Sequence, residues 1–469
     1  MLPDARPSPA RLSASCTTLQ NSFATTDCTR RQRTYRTLYR NQDRKAHMPQ
    51  PPCLSLPCRC LAGALVLAGK VGLAGTLGLA LTATSAMADT LPNDWADVEH
   101  QAQGQSLYWN AWGGDSNVNA YIDWVGDQLE QRWDIELVHV KLDDTAAAVS
   151  RVLAEKSAGN DDRGAIDLIW INGENFAAMK ANDLLFGPWA EHLPNFALTN
   201  PSQQAEMTTD FTIPTEGYES PWGKAQLTFY YDSQRVENPP RDLTELLAWA
   251  EQNPGRFAYP LVPDFHGSTF LKQALIELSE DPEVLQQPAE EADIETVTAP
   301  LWAYLDQLHP WLWRQGQHFP SSGPELKSLM GDGELWLAFT FNPAEPAAAV
   351  ASYQLPPSTR SYVLDNGTIG NVHFVAIPFN ASHKAAAMVA ANFLLSPEAQ
   401  AYKQRLDVWG DPSVLDLDLL SEQQRLALTP ADESPARLPA EALSRTLPEP
   451  HPSWMEAVEK GWLERYGSH

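Results

Sequence analysis

The sequence predicts an α/β protein with two lobes, and three observations support this prediction. Strand and helix patterns alternate over residues 106–181, where each apolar strand is followed by a helix with apolar residues at helical spacing. Such alternation is typical of a parallel sheet covered by helices. Residues 89–469, 381 positions without a repeat or long low-complexity stretch, are enough for two lobes of ordinary domain size.

The first strand is predicted over 106–112 and ends at Gly113-Gly114. Asp115 and Ser116 then begin a helix, because a short polar side chain can accept the free N–H groups of the first turn. Further strands are predicted over 135–140, 166–171, 226–231, 333–343 and 370–378. Helices are predicted over 117–133, 146–156, 174–185, 243–250, 269–278 and 302–313, after Ser382 and Ser396, and over most of 412–469.

The N-terminal region predicts export. All five cysteines lie in the first 60 residues, ahead of the apolar run Leu61–Leu81 and the sequence Ala86-Met87-Ala88. A charged flank, an apolar run and an A-x-A site indicate a signal peptide cleaved after Ala88. A transmembrane anchor is the alternative, since 21 residues can span a bilayer, but five glycines and Lys70 weaken it. Residues 1–47 are interpreted as an extension upstream of a true start at Met48; a basic nucleic-acid-binding arm is the alternative.

The net charge argues against two classes of binding partner. Residues 89–469 contain 22 basic and 56 acidic side chains, a net charge of −34. Such acidity argues against binding to nucleic acid or to anionic membrane surfaces. Solubility alone, or a cationic ligand, would account for it. Because no cysteine follows residue 60, the predicted exported part must be stabilised by its apolar cores.

Several segments together resemble the bacterial extracellular solute-binding proteins of ABC importers, the broad family with iron-, thiamine-, polyamine- and maltose-binding members. The resemblance covers the whole part after residue 88, and residues 172–176 are similar to the YnjB-like branch. The segments that carry it are Pro221–Ala225, Phe229–Asp232, Gly255–Pro260, Ala338–Pro343, Gly367–Gly370 and Phe393–Gln400.

This resemblance implies a two-lobed periplasmic-binding-protein fold of type II, with crossover strands between the lobes. Lobe one would contain 89–225 and 375–405, lobe two 226–372 and 406–469, with hinges near 226–231 and 370–376. It further implies a monomer in the periplasm that binds a small solute and delivers it to the permease and ATPase subunits. No catalysis, cofactor or metal is expected.

The expected site lies outside the carboxyl ends of the strands, where open α/β sheets bind ligands. This rule selects the loops 112–116, 172–176 and 264–268 and, more weakly, the turns at 341–342 and 365–367. Two aromatic residues near the crossover, Trp222 and Tyr231, are added. The candidate residues are Trp112, Asp115, Ser116, Asn172, Glu174, Phe176, Trp222, Tyr231, Asp264, His266, Ser268, Phe341, Asn342 and Asp365.

The composition of these loops predicts an organic cation or zwitterion as ligand. Arginine and lysine are absent from all five segments, whereas carboxylates and aromatic rings are frequent. A ring face and a carboxylate together suit an organic cation, while an anion site would be expected to contain arginine. Each residue also has a structural interpretation: Asp115 as a helix cap, Glu174 as a partner of the helix dipole, and each aromatic ring as part of a core.

Two other classes of function remain open on the sequence alone, a secreted α/β hydrolase acting in the cleft and an adhesive exported domain. Asp264 and His266 could form an acid–base pair, although two residues so close can equally satisfy their own loop. No G-x-S-x-G or H-E-x-x-H motif occurs. Tyr230-Tyr231 resembles the paired tyrosines of iron-binding relatives, but the return strand has Phe341-Asn342 at the equivalent place, which disfavours iron.

Overall fold

The computed structural model describes residues 94–429, 434–438 and 440–467. The predicted signal peptide, its cleavage after Ala88 and the start at Met48 lie outside the described residues. Within the part of the chain that is described, no helix is both long and apolar enough to cross a membrane.

Helices and strands alternate through the first half of the described chain. These elements are α1 (Trp95–Ala102), β1 (Ser106–Trp112), α2 (Ser116–Trp133), β2 (Glu136–Leu142), α3 (Ala146–Ser157), β3 (Leu168–Ile171), α4 (Glu174–Ala181), β4 (Thr209–Asp210), β5 (Ile213–Pro214), β6 (Glu219–Gln226) and β7 (Thr228–Asp232).

The second half is richer in helices. Its elements are α5 (Leu243–Gln252), α6 (Phe265–Leu278), α7 (Ile294–Leu308), α8 (Gly323–Gly331), β8 (Leu337–Thr340), α9 (Glu345–Ala351), β9 (Thr359–Tyr362), β10 (Thr368–Ala376), α10 (Lys384–Leu394), α11 (Pro397–Lys403), α12 (Glu422–Leu428), α13 (Ala440–Leu443), β11 (Thr446–Leu447) and α14 (Pro452–Tyr466).

The larger sheet has six strands. Strand β1 pairs in parallel with β2 and with β3, which confirms the parallel β-α-β-α-β arrangement predicted from the alternating pattern. Strand β10 runs antiparallel to β3 and to β6, and the short β11 pairs in parallel with β10. The carboxyl ends of β1 and β3 therefore lie at the same edge of this sheet, where the loops after Trp112 and Ile171 begin.

The smaller sheet has three strands, with β7 between β8 and β9 and antiparallel to both. Only Leu227 separates β6 from β7, so the chain passes from the larger to the smaller sheet at this residue. The Leu227 N–H donates to the carbonyl of Ile369 on β10 (2.8 Å). The crossing strand and β10 are thus held together where the two sheets meet, which makes this a two-lobed α/β fold with crossover strands.

Each sheet has its own apolar core. The first includes Trp109, Ile122 and Phe374, and the second includes Phe229, Phe270 and Trp462. Residues 408–428 differ from the predicted division, which assigned 406–469 to lobe two. Val408, Trp409, Val414, Leu415, Leu420 and Leu428 pack in the first core, whereas Trp454, Val458 and Trp462 of α14 pack in the second. Trp409 contacts the Trp222 ring of the first core, which accounts for this placement. The other boundaries stay predictions.

Several predicted elements have different limits in the structure, and two of the differences have a clear local cause. The helix predicted over 302–313 begins earlier, at Ile294, because the Asp293 side chain accepts the Thr296 N–H and caps it. The strand predicted over 333–343 is shortened to β8 because Gly333 adopts a positive φ of 75°, which turns the chain ahead of it.

Candidate ligand-binding cleft

The loop after β1 brings Asp115 to the edge of the larger sheet. Its Oδ1 accepts the backbone N–H groups of Asn117 (2.7 Å) and Val118 (3.3 Å), so Asp115 is the N-cap of α2. Its Oδ2 lies 3.5 Å from Nζ of Lys327, which belongs to α8 and hence to the second lobe. Asp115 therefore both caps a helix of one lobe and contacts a cation of the other.

The loop after β3 brings Glu174 to the same edge, as the first residue of α4. Gly173 before it has a φ of 59°, and a Cβ there would lie 2.7 Å from the ring of Phe211, so only glycine suits this turn. The Gly173 N–H donates to Oδ2 of Asp210 (2.7 Å), whose other oxygen has no partner among the described residues. Two carboxyl groups and a ring thus meet at the start of α4.

Lys272 of α6 faces this group from the second lobe. It is 1% exposed, and its Nζ lies 2.7 Å from Oε2 of Glu449, although neither atom makes a hydrogen bond of good geometry among the described residues. The same ammonium group lies 4.5 Å from the centre of the Phe211 ring and 5.9 Å from that of Phe265. A primary ammonium is therefore held here by ring faces and a carboxylate.

Glu459 of α14 is the fourth carboxyl group of this cluster. Its Oε1 accepts the hydroxyl of Ser268 at 2.5 Å, and Ser268 itself is fully buried in the first turns of α6. We name the group formed by Glu174, Asp210, Glu449, Glu459 and Lys272 the acid cluster. It contains four carboxyl groups and one ammonium group from residues of both lobes.

Burial and the excess of four carboxyl groups over one ammonium group shift the pKa values in the acid cluster. Burial raises the pKa of Glu174 to about 7; the nearby charge of Lys272 opposes the rise, and Glu459 and Glu449 add to it. Burial also raises the pKa of Asp210, against the effect of its hydrogen bond from Gly173. The pKa of Glu459 is raised for the same first reason, burial. One ammonium group is too little to keep these carboxyl groups in their usual ionisation range.

A second group of polar residues lies where the crossing strands meet. His373 on β10 contacts Asp411 (Nε2 to Oδ1, 3.1 Å), and Lys403 contacts the other oxygen of Asp411 at 2.6 Å. Trp170 and Trp409 pack against the His373 ring. The Asn342 side-chain amide donates to the Trp409 carbonyl (3.4 Å), which links the turn after β8 to the first core.

The structure brings only some of the predicted residues to the cleft. Phe176 and Trp222 are fully buried in the first core, so their rings are core and not cleft lining. The Asp365 side chain is 64% exposed and lies 3.9 Å from Arg445, and Tyr231 packs edge-on against Tyr362. Neither of these contacts involves a residue of the acid cluster.

The remaining predicted residues have mainly local roles. Asp264 caps α6 by accepting the His266 N–H (3.0 Å), and the His266 ring packs on Gly323 at the start of α8. Trp112 is half-buried against the first core, Ser116 is exposed, Asn172 is half-buried, and Phe341 packs edge-on against Phe265. An Asp264–His266 acid–base pair is disfavoured, because Nδ1 and Oδ1 are 3.5 Å apart and Asp264 serves as a cap.

Sequence reasoning missed the other charged residues of the acid cluster and of the Lys327 contacts: Asp210, Lys272, Lys327, Glu345, Glu449 and Glu459. They lie inside helices or in distant segments and not in the selected loops. One signal was available, since a lysine within the apolar helix TFLKQALIEL is rarely buried without a paired charge. Across 94–429, 434–438 and 440–467, no three histidine, cysteine, aspartate or glutamate side chains are grouped to hold a metal ion.

Two α/β lobes joined by crossing strands, with polar and aromatic residues of both lobes between them, define a solute-binding protein. Residues 124–415 match the family model described as bacterial extracellular solute-binding protein, and the chain belongs to this family. Members bind a small solute and work with the permease and ATPase subunits of ABC importers. Among its relatives is the YnjB protein of Escherichia coli K12, 46% identical over 380 residues, which cover 81% of this chain and 96% of YnjB.

Solved structures agree in fold. PotD, the spermidine/putrescine substrate-binding protein of Streptococcus pneumoniae, has a TM-score of 0.53 and 15% identity over 77% of this chain and 98% of its own. AfuA of Actinobacillus pleuropneumoniae, solved with fructose-6-phosphate, has a TM-score of 0.54 and 14% identity over 78% and 99%. These comparisons give no support to the alternative of a secreted hydrolase.

Proposed function

We propose that this substrate-binding protein captures a small organic cation, or a zwitterion with an exposed ammonium group, at the acid cluster between its lobes. It acts as a periplasmic monomer, has no catalysis of its own, and delivers the solute to its permease. The observation that carries this proposal is the excess of four buried or half-buried carboxyl groups over the single ammonium of Lys272.

The absence of lysine and arginine from the loops does not extend to the rest of the cleft. The loops contain no lysine or arginine, but Lys327 and Lys272 reach the cleft from helices and contact Asp115 and Glu449. After these pairings, Glu174, Asp210 and Glu459 still have raised pKa values because burial is not offset by enough positive charge. A cationic ligand would supply this charge, whereas an anion would add to the repulsion.

The position of Lys272 also supports the proposal. Its ammonium group uses the face of Phe211 and the carboxylate of Glu449, the two kinds of contact that hold an organic cation. PotD is described as a spermidine/putrescine protein, and AfuA was solved with fructose-6-phosphate. These ligands have opposite charge, so the shared fold alone does not select the ligand. The charges in the cleft are therefore better evidence for the class of ligand than the fold is.

Calorimetry with purified exported protein tests the proposal. The probes are a panel of monoamines, diamines, quaternary ammonium compounds and amino acids, with sulfonates and phosphonates of similar size. We expect binding of at least one cationic or zwitterionic probe. For that probe, Glu174→Gln should cost on the order of 2–5 kcal/mol, as when one partner of a buried charge pair is removed. The exposed Asp365→Asn variant is the matched control and should bind like the parent.

Two results would overturn this assignment: binding of anions alone, or unchanged cation affinity in each of Glu174→Gln, Glu449→Gln and Glu459→Gln. Closure is tested separately, by small-angle scattering with and without the bound probe. A ligand held by both lobes shifts an open–closed equilibrium, so saturation should reduce the radius of gyration. An unchanged radius at saturation would count against closure.

A further inference from the structure

Lys327 lies between the two lobes, beside the edge of the larger sheet where β1 ends. Helix α8, which carries it, packs in the second core through Leu326, Leu329 and Met330. Helix α2, which begins beside Asp115, packs in the first core. The 3.5 Å contact between Lys327 Nζ and Asp115 Oδ2 therefore joins elements that belong to different cores.

Each partner is held in place by its own lobe. Lys327 Nζ donates to Oε1 of Glu345 at 2.6 Å, and the other oxygen of Glu345 accepts the hydroxyl of Thr340. On the other side, the helix cap uses Oδ1 of Asp115 and leaves Oδ2 directed at the lysine. Of the contacts that Lys327 makes with Asp115 and Glu345, separating the lobes would break the one to Asp115, because Glu345 and Thr340 move with Lys327.

The ion pair between Lys327 and Asp115 is largely shielded from solvent. The side chains of Lys327, Asp115 and Glu345 are 14%, 22% and 24% exposed. Burial by itself lowers the pKa of Lys327, but Glu345 and Asp115 together raise it above its usual range. The lysine is therefore charged throughout the physiological range, and its attraction to Asp115 is weakened less by solvent than that of a surface pair.

We infer that Lys327 is a positioning residue that holds the two lobes closed through Asp115, independently of the ligand bound at the acid cluster. Lys327 thereby sets how much of the protein is closed before ligand arrives. The larger the fraction of protein that is already closed, the less free energy closing around the ligand costs. Lys327 therefore also increases the apparent affinity for the ligand without contacting it.

Distance measurements between spin labels in the ligand-free protein test this inference. Labels are placed at Gln131→Cys on α2 and Gln252→Cys on α5, both exposed positions, one on each lobe. The five native cysteines, all in the first 60 residues, are replaced by serine in the full chain before export and purification. The parent should show mainly the shorter of two distances.

Two variants remove the contact in different ways. Lys327→Met removes the cation, while Asp115→Asn removes only the charge, since asparagine caps helices as well as aspartate does. Each should lower the closed-to-open ratio by roughly tenfold, between the effects expected for exposed and fully buried pairs. Lys180→Met is the matched control: it removes a partly buried lysine that pairs with Glu216 within one lobe, and should leave the distances unchanged.

Unchanged distances in both variants, or an equal shift in the Lys180→Met control, would overturn the inference. Because no ligand is present, the result does not depend on the cation assignment. Conversely, Glu174→Gln should alter ligand binding without shifting the ligand-free distances toward the open form. Failure of one proposal is thus distinguishable from failure of the other.

Discussion

The ammonium group of Lys403 lies 2.6 Å from the carboxylate of Asp411, and both side chains are at most 2% exposed. Lys403 also donates to the backbone carbonyl of Trp222 on β6, the strand that leads into the crossing at Leu227. The ion pair thus connects α11 to a crossing strand inside the first core. Its partners include a backbone group that cannot move independently of the sheet.

Replacing Lys403 by methionine should destabilise the protein strongly. The change leaves Asp411 buried without its counter-ion, and such a loss costs roughly 3–5 kcal/mol. Urea unfolding of Lys403→Met and the parent gives the difference in free energy of unfolding. Arg405→Met, two residues away, removes an ion pair whose side chains are 54% and 68% exposed and should cost less than about 1 kcal/mol. Equal effects of the two substitutions would contradict the prediction.

Gly223 on β6 lies where no side chain fits. A Cβ at this position would lie 2.2 Å from both Oδ2 of Asp411 and Nε2 of His373. Gly223→Ala must therefore displace β6 or separate His373 from Asp411, and should lower stability by roughly 1–3 kcal/mol. Gly126→Ala on α2 is the control, because its Cβ would meet Leu137 at an ordinary 3.4 Å and alanine favours a helix. A thermal midpoint unchanged in Gly223→Ala would refute the predicted clash.

The pKa of Glu174 predicts a pH dependence of stability. It is about 7 in the folded protein against 4.5 ordinarily, so the folded state keeps a proton that the unfolded chain has lost. The free energy of unfolding should therefore decrease as pH rises from about 4.5 to 7, by roughly 3 kcal/mol from this group, and then level off. Urea unfolding at pH 5 and pH 8 measures the change. Glu174→Gln should reduce this decrease and Asp365→Asn should keep it; a parent and Glu174→Gln with identical slopes would exclude the assignment.

The predicted processing site gives a direct test of export. Small residues at Ala86 and Ala88 are those read by the signal peptidase, so the exported protein should begin at Asp89. N-terminal sequencing of the periplasmic fraction checks this, and replacing Ala88 with a bulky residue should cause unprocessed protein to accumulate. A purified periplasmic protein that begins at Met1 or retains Leu61–Leu81 would refute the signal peptide.

The sequence predicted local structure better than it predicted the cleft. The strand ending at Trp112 and the helix capped by Asp115 follow from residues adjacent in the chain, and the structure contains both. The acid cluster could not be read in this way. It joins Glu174 to Lys272 and Glu459 through the packing of α4, α6 and α14, and a charge inside a helix gives no sequence signal of the element it will face.

The positions of the aromatic rings were also predicted poorly from the sequence. Phe176 and Trp222 were expected in the cleft because they stand in or near the selected segments, but both are fully buried in the first core. Phe211, which was not selected, packs on Gly173 and lies against the ammonium of Lys272. The sequence shows which segment carries a ring. Whether that ring lies in the core or faces the other lobe depends on the packing of distant elements.

The bond between Ser268 and Glu459 spans 191 positions, and Glu459 lies in α14, the last helix among the described residues. A polypeptide that emerges N-terminus first therefore carries most of both cores before it carries the whole acid cluster. We therefore expect the proposed ligand site at the acid cluster to form only after α14 has been synthesised and has packed against α6.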